Sequence, residues 1–260
     1  MPASIISFAS ATEMRVNGSN GSFVAKSIFL PARRRAWHSA HVIVPEPLAQ
    51  TVLGIDLRSG PRYPTGLAAM DRRRRLRLLS TARHDDEIDA VIQRLRPALV
   101  CIDAPLALPE GRDCVDSTCA CATAGILRAV DRFCIAAGYR VYPTLLPSMV
   151  GLTLRGIELA DRLRTVGIAV LEVYPGMAQD ILSIPRKRQG VDALARGLRR
   201  VGVRGLPRAR VATHDELDAA TCALVGVMYL DGATEQYDTA GEPPFVFPAR
   251  VPDSMLPPRA

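Results

Sequence analysis

Apolar residues in this chain fall into short runs whose period changes several times between Thr51 and Leu230. Val52-Leu53-Gly54-Ile55 is an unbroken apolar run closed by Asp56, the pattern of a central strand covered on both faces. A turn at Ser59-Gly60-Pro61 leads into residues 64–70, and a basic turn at 71–74 leads into Leu76–Ala82. These three segments read as strands joined by tight turns, a meander. From His84-Asp85-Asp86-Glu87 the period lengthens. Ile88, Val91, Ile92 and Leu95 recur every three or four residues until Pro97 stops them, which predicts a helix. Residues 98–102 form a second apolar run closed by an acid, Asp103. A long excursion follows, with predicted helices at 126–137 and 148–165 and a short extended piece at 139–142. Residues 168–174 return to strand and end in Glu172-Val173-Tyr174-Pro175. A last helix is predicted over 213–230, with Leu217, Ala220, Leu224 and Val227 on one face and Gly232 as its terminator.

This order, β-β-β-α-β-α-β-α, predicts an α/β fold of the RNase H-like kind. Its mixed five-stranded sheet would run in the order 3-2-1-4-5, flanked by helices, with a helical insertion after the fourth strand. The first and fourth strands are then neighbours, about 4.8 Å apart, so Asp56 and Asp103 stand side by side at their carboxyl ends.

Boundaries follow from where the periodicity stops. Residues 1–50 carry Asn17-Gly18-Ser19-Asn20-Gly21, end in Pro45-Glu46-Pro47, and are expected to be a poorly ordered extension, with 22–30 the piece best suited to lie on the domain as a strand. Residues 51–250 form the domain and 251–260 a tail. The apolar run Ile5-Ile6-Ser7-Phe8-Ala9 has no positive charge before it and does not fit a secretory signal. Nowhere is there a run of the ~20 apolar residues that a membrane span needs. A hydrophobic content of 48% with 23% charged residues fits a soluble, cytoplasmic protein, in which the six cysteines are intracellular thiols. The net charge of +7 comes from 33 Lys+Arg against 26 Asp+Glu. It suits a polyanionic partner such as nucleic acid, but does not bear on the fold.

Candidate chemistry centres on acids. A carboxylate closing a buried strand is costly unless it is paired or bound to a cation. Two on adjacent strands repel each other, and a divalent metal is a natural remedy. In Thr213-His214-Asp215-Glu216-Leu217-Asp218-Ala219, Thr213 and Glu216 fit a capping box, which accounts for Glu216 and partly for Asp215. Asp218 is not needed by the cap, and it shares a face with Asp215 one turn on. Glu172 either completes the acidic cluster or pairs with Arg186 or Lys187. Arg112 and Lys187 are candidates for holding phosphate oxygens, against the plainer reading of solvated charges. Cys114-x4-Cys119-x-Cys121 lacks the second pair that a structural zinc site usually has, so these read first as buried or reactive thiols, with a zinc site completed by Cys134 as the alternative. Walker, GxGxxG and GxSxG motifs are absent.

Gly54-Ile55-Asp56, Ile102-Asp103-Ala104-Pro105-Leu106, Glu172-Val173-Tyr174-Pro175 and His214-Asp215-Glu216-Leu217-Asp218-Ala219 together resemble the family catalogued as domain of unknown function 429, predicted nucleases of RNase H fold. Leu108-Pro109-Glu110-Gly111-Arg112, Cys119-x-Cys121, Asp131-Arg132, Pro147-Ser148-Met149 and Arg155-Gly156 fit a branch of it. The resemblance spans 51–250. It implies phosphodiester hydrolysis dependent on Mg²⁺ or Mn²⁺, with Asp56 bridging two metals, Asp103 and Asp218 holding one each, and Asp215 assisting. Two acids three apart on the last helix resemble Holliday-junction resolvases. The first-helix Glu of RNase H proper has no clear match, Glu87 and Asp89 being the nearest acids. Two rivals keep the fold, a nucleotide-dependent phosphotransferase and a non-catalytic module that binds nucleic acid or protein.

Overall fold

A computed structural model describes residues 51–207, 210–239 and 242–249. Its elements are β1 (Thr51–Asp56), β2 (Thr65–Asp71), β3 (Leu76–Ala82), α1 (Asp85–Leu95), β4 (Leu99–Asp103), α2 (Ala129–Ala136), α3 (Val150–Thr165), β5 (Ala169–Glu172), α4 (Pro175–Ile181), α5 (Val191–Arg200), α6 (His214–Leu230), β6 (Thr234–Tyr237) and β7 (Phe245–Pro248). Short 3-10 turns occur at Ala120–Ala124 and Lys187–Gln189. The expectations for 1–50 and 251–260 lie outside the described residues.

The sheet order is β3-β2-β1-β4-β5-β7-β6. β1, β2 and β3 pair antiparallel, while β4 joins β1, and β5 joins β4, in parallel. This is the RNase H-like arrangement, with α2 and α3 inserted between β4 and β5. The sheet has seven strands, however, and not the five expected. β7 attaches to β5 through the single pair Glu172↔Phe245, and β6 pairs antiparallel with β7. The sequence reading missed both for physical reasons: β6 is a polar edge, Thr-Glu-Gln-Tyr, and β7 is four residues among prolines. It also missed α4 and α5, which are short, and α5 is rich in arginine. Residues 139–142 form no strand.

Strand alternation sorts the core into two layers. Val52, Met70, Leu99, Cys101 and Leu171 face α4, α5 and α6, while Leu53, Ile55, Leu67, Val100 and Ile102 face α1 and α3. Helix α6 crosses directly over β1 and β2, and small residues permit the approach. A Cβ on Gly54 would overlap the Ala219 carbonyl and the Ala223 amide, and one on Gly66 would overlap the Asp215 carbonyl. The glycine that precedes the strand-end acid thus brings the helix carrying Asp215 and Asp218 against it.

Candidate active site

Asp56 and Asp103 are register partners at the ends of β1 and β4. Asp56 has the parity of Val52 and Gly54, and Asp103 that of Leu99 and Cys101, so both point toward α6. There they meet Asp218, and Asp215 lies one turn earlier on the same helix. Asp56 is 4% exposed, and its Oδ2 has no hydrogen-bond partner among the described residues. Burial, and then the Asp103 charge, push its carboxyl well above the usual range. Asp103 is pushed up to about 8, by burial and then by Asp218. These acids therefore form one electrostatic cluster that resists full ionisation.

Basic side chains offset part of that charge. Arg58, just beyond β1, donates to Asp215 and lies 3.7 Å from Asp56 Oδ2. Lys187 Nζ lies 3.3 Å from Asp218 Oδ2. Burial pulls the Lys187 ammonium down, but Asp218 and Asp56 outweigh it and hold the group above its ordinary value. Gln179 donates from Nε2 to Asp218 Oδ1 at 2.7 Å and to Thr221 Oγ1 at 3.2 Å, fixing the carboxylate from α4. The sequence reading missed Arg58, Gln179 and α4. A buried Gln four residues after Pro175 at the helix start was the available signal.

Glu172 does not join the cluster as a free ligand. Its register partner is Ile102, which faces the α1/α3 layer, so alternation turns Glu172 away from Asp103. It accepts from Arg128 at 2.5 and 2.7 Å and from the Leu106 amide at 3.0 Å, with Arg128 only 3% exposed. Neither Arg186 nor Lys187 is its partner. Arg186 grips Asp180 and lies over the Tyr174 ring. Arg112 lies elsewhere, buried in the insertion, where it donates to the carbonyls of Cys114 and Asp116 at 3.0 Å. Of the two α1 acids nearest to the RNase H pattern, Glu87 accepts from the amides of Arg83 and His84, and Asp89 lies 3.5 Å from Arg162. Glu216 completes the cap with Thr213 and is gripped by Arg210 at 2.6 and 2.8 Å.

A cavity of about 390 Å³ opens over the cluster, lined by Asp56, Asp103 and Asp218, with Arg140, Lys187 and Arg188 at its exposed rim. The donor set is all carboxylate, the hard-oxygen chemistry of Mg²⁺ and Mn²⁺, and the orphaned Asp56 Oδ2 supplies a buried acceptor. With Arg58 and Lys187 engaged, no three of these acids bring their oxygens within 4.8 Å of one another. The residues fit such an ion by their donor chemistry and by the orphaned acceptor on Asp56.

No helix among the described residues is long and apolar enough to cross a membrane. No family model and no curated protein matches the chain. Two solved structures of RuvC from Thermus thermophilus are similar to it. One, in complex with a Holliday junction substrate, is 14% identical with a TM-score of 0.41, and the match covers 75% of this chain and 99% of that one. The other is 17% identical with a TM-score of 0.39, and covers 74% and 99%.

Proposed function

We propose that this protein is a nuclease that hydrolyses phosphodiester bonds with the aid of a divalent cation, Mg²⁺ or Mn²⁺. The observation that supports this reading is the meeting of two in-register strand-end acids, Asp56 and Asp103, with Asp218 of α6 in a cavity rimmed by basic side chains. Asp56, Asp103 and Asp218 would hold the metal, and Asp215 would assist. When bound, the ion lowers the pKa of water and stabilises charge on phosphoryl oxygens.

The other residues act through position and charge. Gln179 locks one oxygen of Asp218, leaving the other to face the cavity beside Lys187. Arg58 keeps Asp215 at the edge of the cluster. Arg140, Lys187 and Arg188 are placed to take phosphate oxygens of a nucleic-acid backbone and hold it across the cavity mouth. Glu172 and Arg128 keep the insertion against the strand ends.

The test is a panel of single-stranded, duplex and branched DNA and RNA incubated with Mg²⁺ or Mn²⁺. Wild type is expected to cleave at least one of them, and Asp56→Asn, folded by circular dichroism, to cleave none. Equal cleavage by the variant would place the activity outside this site. Absence of both cleavage and metal binding in wild type would overturn the reading in favour of a binding module.

A further inference from the structure

The insertion between β4 and β5 holds a second cluster, outside the cavity described above. It is made of thiols. Cys114, Cys119 and Cys121 bring their Sγ atoms within 4.8 Å of one another, with Cys119 and Cys121 at 3.1 Å and Cys114 and Cys121 at 3.6 Å. All three are free thiols, Cys114 buried and the other two partly exposed. A zinc–sulfur distance of about 2.3 Å in a tetrahedral site places ligand sulfurs ~3.8 Å apart, near the Cys114–Cys121 separation and somewhat wider than the Cys119–Cys121 one.

The loop is built to hold them there. The 3-10 turn Ala120–Ala124 starts at Cys119, which sets Cys119 and Cys121 on one tight turn. The buried Arg112 guanidinium binds the carbonyls of Cys114 and Asp116 and bends Cys114 back toward that turn. A lone disulfide would use two of the three sulfurs and leave the third without a purpose.

We infer that Cys114, Cys119 and Cys121 form a three-thiolate site for a thiophilic divalent cation of the zinc class, with Arg112 as the residue that positions its loop. Three sulfurs from the chain leave the fourth tetrahedral position to water or to another ligand. The ion would staple residues 112–124, a stretch with only one 3-10 turn of regular structure, and its role is separate from that of the carboxylate cluster.

The test uses the full chain, reduced with a phosphine and stripped of metal, then titrated with Co²⁺ and separately with Zn²⁺. One equivalent of Co²⁺ should give a thiolate-to-cobalt charge-transfer band that Zn²⁺ bleaches. The band should be lost in Cys114→Ser and in Cys121→Ser, and kept in Cys134→Ser and in Asp56→Asn. Arg112→Met should weaken Zn²⁺ binding by about 10- to 100-fold, as loss of a ligand-orienting contact typically does. If the cysteine variants do not fold, alkylation of wild type decides the matter: Zn²⁺ should protect Cys114, Cys119 and Cys121 together, and EDTA should expose them. Absence of the charge-transfer band in reduced wild type would overturn the inference. So would a band that survives Cys114→Ser, or unprotected thiols in the presence of Zn²⁺. A Cys119–Cys121 disulfide whose reduction yields no metal uptake would replace the metal site with a redox pair.

Discussion

Asp103→Asn removes one negative charge from the acidic cluster while keeping the shape of the side chain. Burial and Asp218 push the Asp103 carboxyl up to about 8 in the folded protein, against ~3.9 in an unfolded chain. The native state therefore binds a proton that the unfolded state has released. Stability from this group is fully present below ~3.9 and is lost as pH rises to about 8. At 1.36 kcal/mol per pH unit the deficit at pH 7 is at most about 4 kcal/mol. Asp103 is only partly withdrawn from water and titrates together with its neighbours, so about 2 kcal/mol is the expected difference. In EDTA, Asp103→Asn should be more stable than wild type by that amount at pH 7 and equal to it near pH 4. Urea unfolding at half-unit pH steps measures this, since titrations of groups not coupled to Asp103 cancel in the difference. With Mn²⁺ present the order should narrow or reverse if, as proposed, Asp103 holds the ion, since an ion that binds the folded wild type better stabilises it. Wild-type and variant curves that stay parallel from pH 4 to 8 would refute the reasoning, showing that Asp103 ionises freely.

Other substitutions probe the supports of the site. Gly54→Ala puts a Cβ into the Ala219 carbonyl, so α6 must lift; a loss of about 1–3 kcal/mol by urea unfolding and weaker Mn²⁺ binding are expected. Arg128→Met strands buried Glu172 and should cost about 3–5 kcal/mol, while the further change Glu172→Met should recover much of it; a double-mutant cycle checks this. Glu216→Ala removes only the cap and the Arg210 pair, for about 0.5–2 kcal/mol with cleavage unchanged in rate assays.

The juxtaposition of Asp56 and Asp103 was readable because two apolar runs each ended in an acid and the element order made them neighbours. Asp218 was readable because the helix cap did not need it. Glu172 was misplaced for want of counting parity: one position along a strand turns a side chain to the opposite face. Its true partner, Arg128, lies 44 residues away inside the insertion, a distance that no local pattern spans. Arg112 reads in sequence like any surface charge, and only the folded loop shows that its guanidinium is occupied by carbonyls. The thiol cluster was set aside because its spacing lacked a second pair, yet a 3-10 turn and one buried arginine bring all three sulfurs together. β6 is too polar, and β7 too short and hemmed in by prolines, to announce themselves.

Glu172 also has a bearing on the order of folding. Its carboxylate holds the Leu106 amide, 66 residues before it, and the Arg128 guanidinium, 44 before it, so one group ties together the start, the middle and the end of the insertion. In the fold they accompany the β4–β5 pairing Ile102↔Glu172, which closes a loop of similar length. The meander and α1 involve only near neighbours in sequence and can assemble early. Docking of the insertion is then a late, entropically slow event that follows closure of the long loop. Once made, the tie divides one long loop into two shorter ones, so β5, whose acid lies outside the Asp56–Asp103–Asp218 cluster, decides when the cavity acquires its wall.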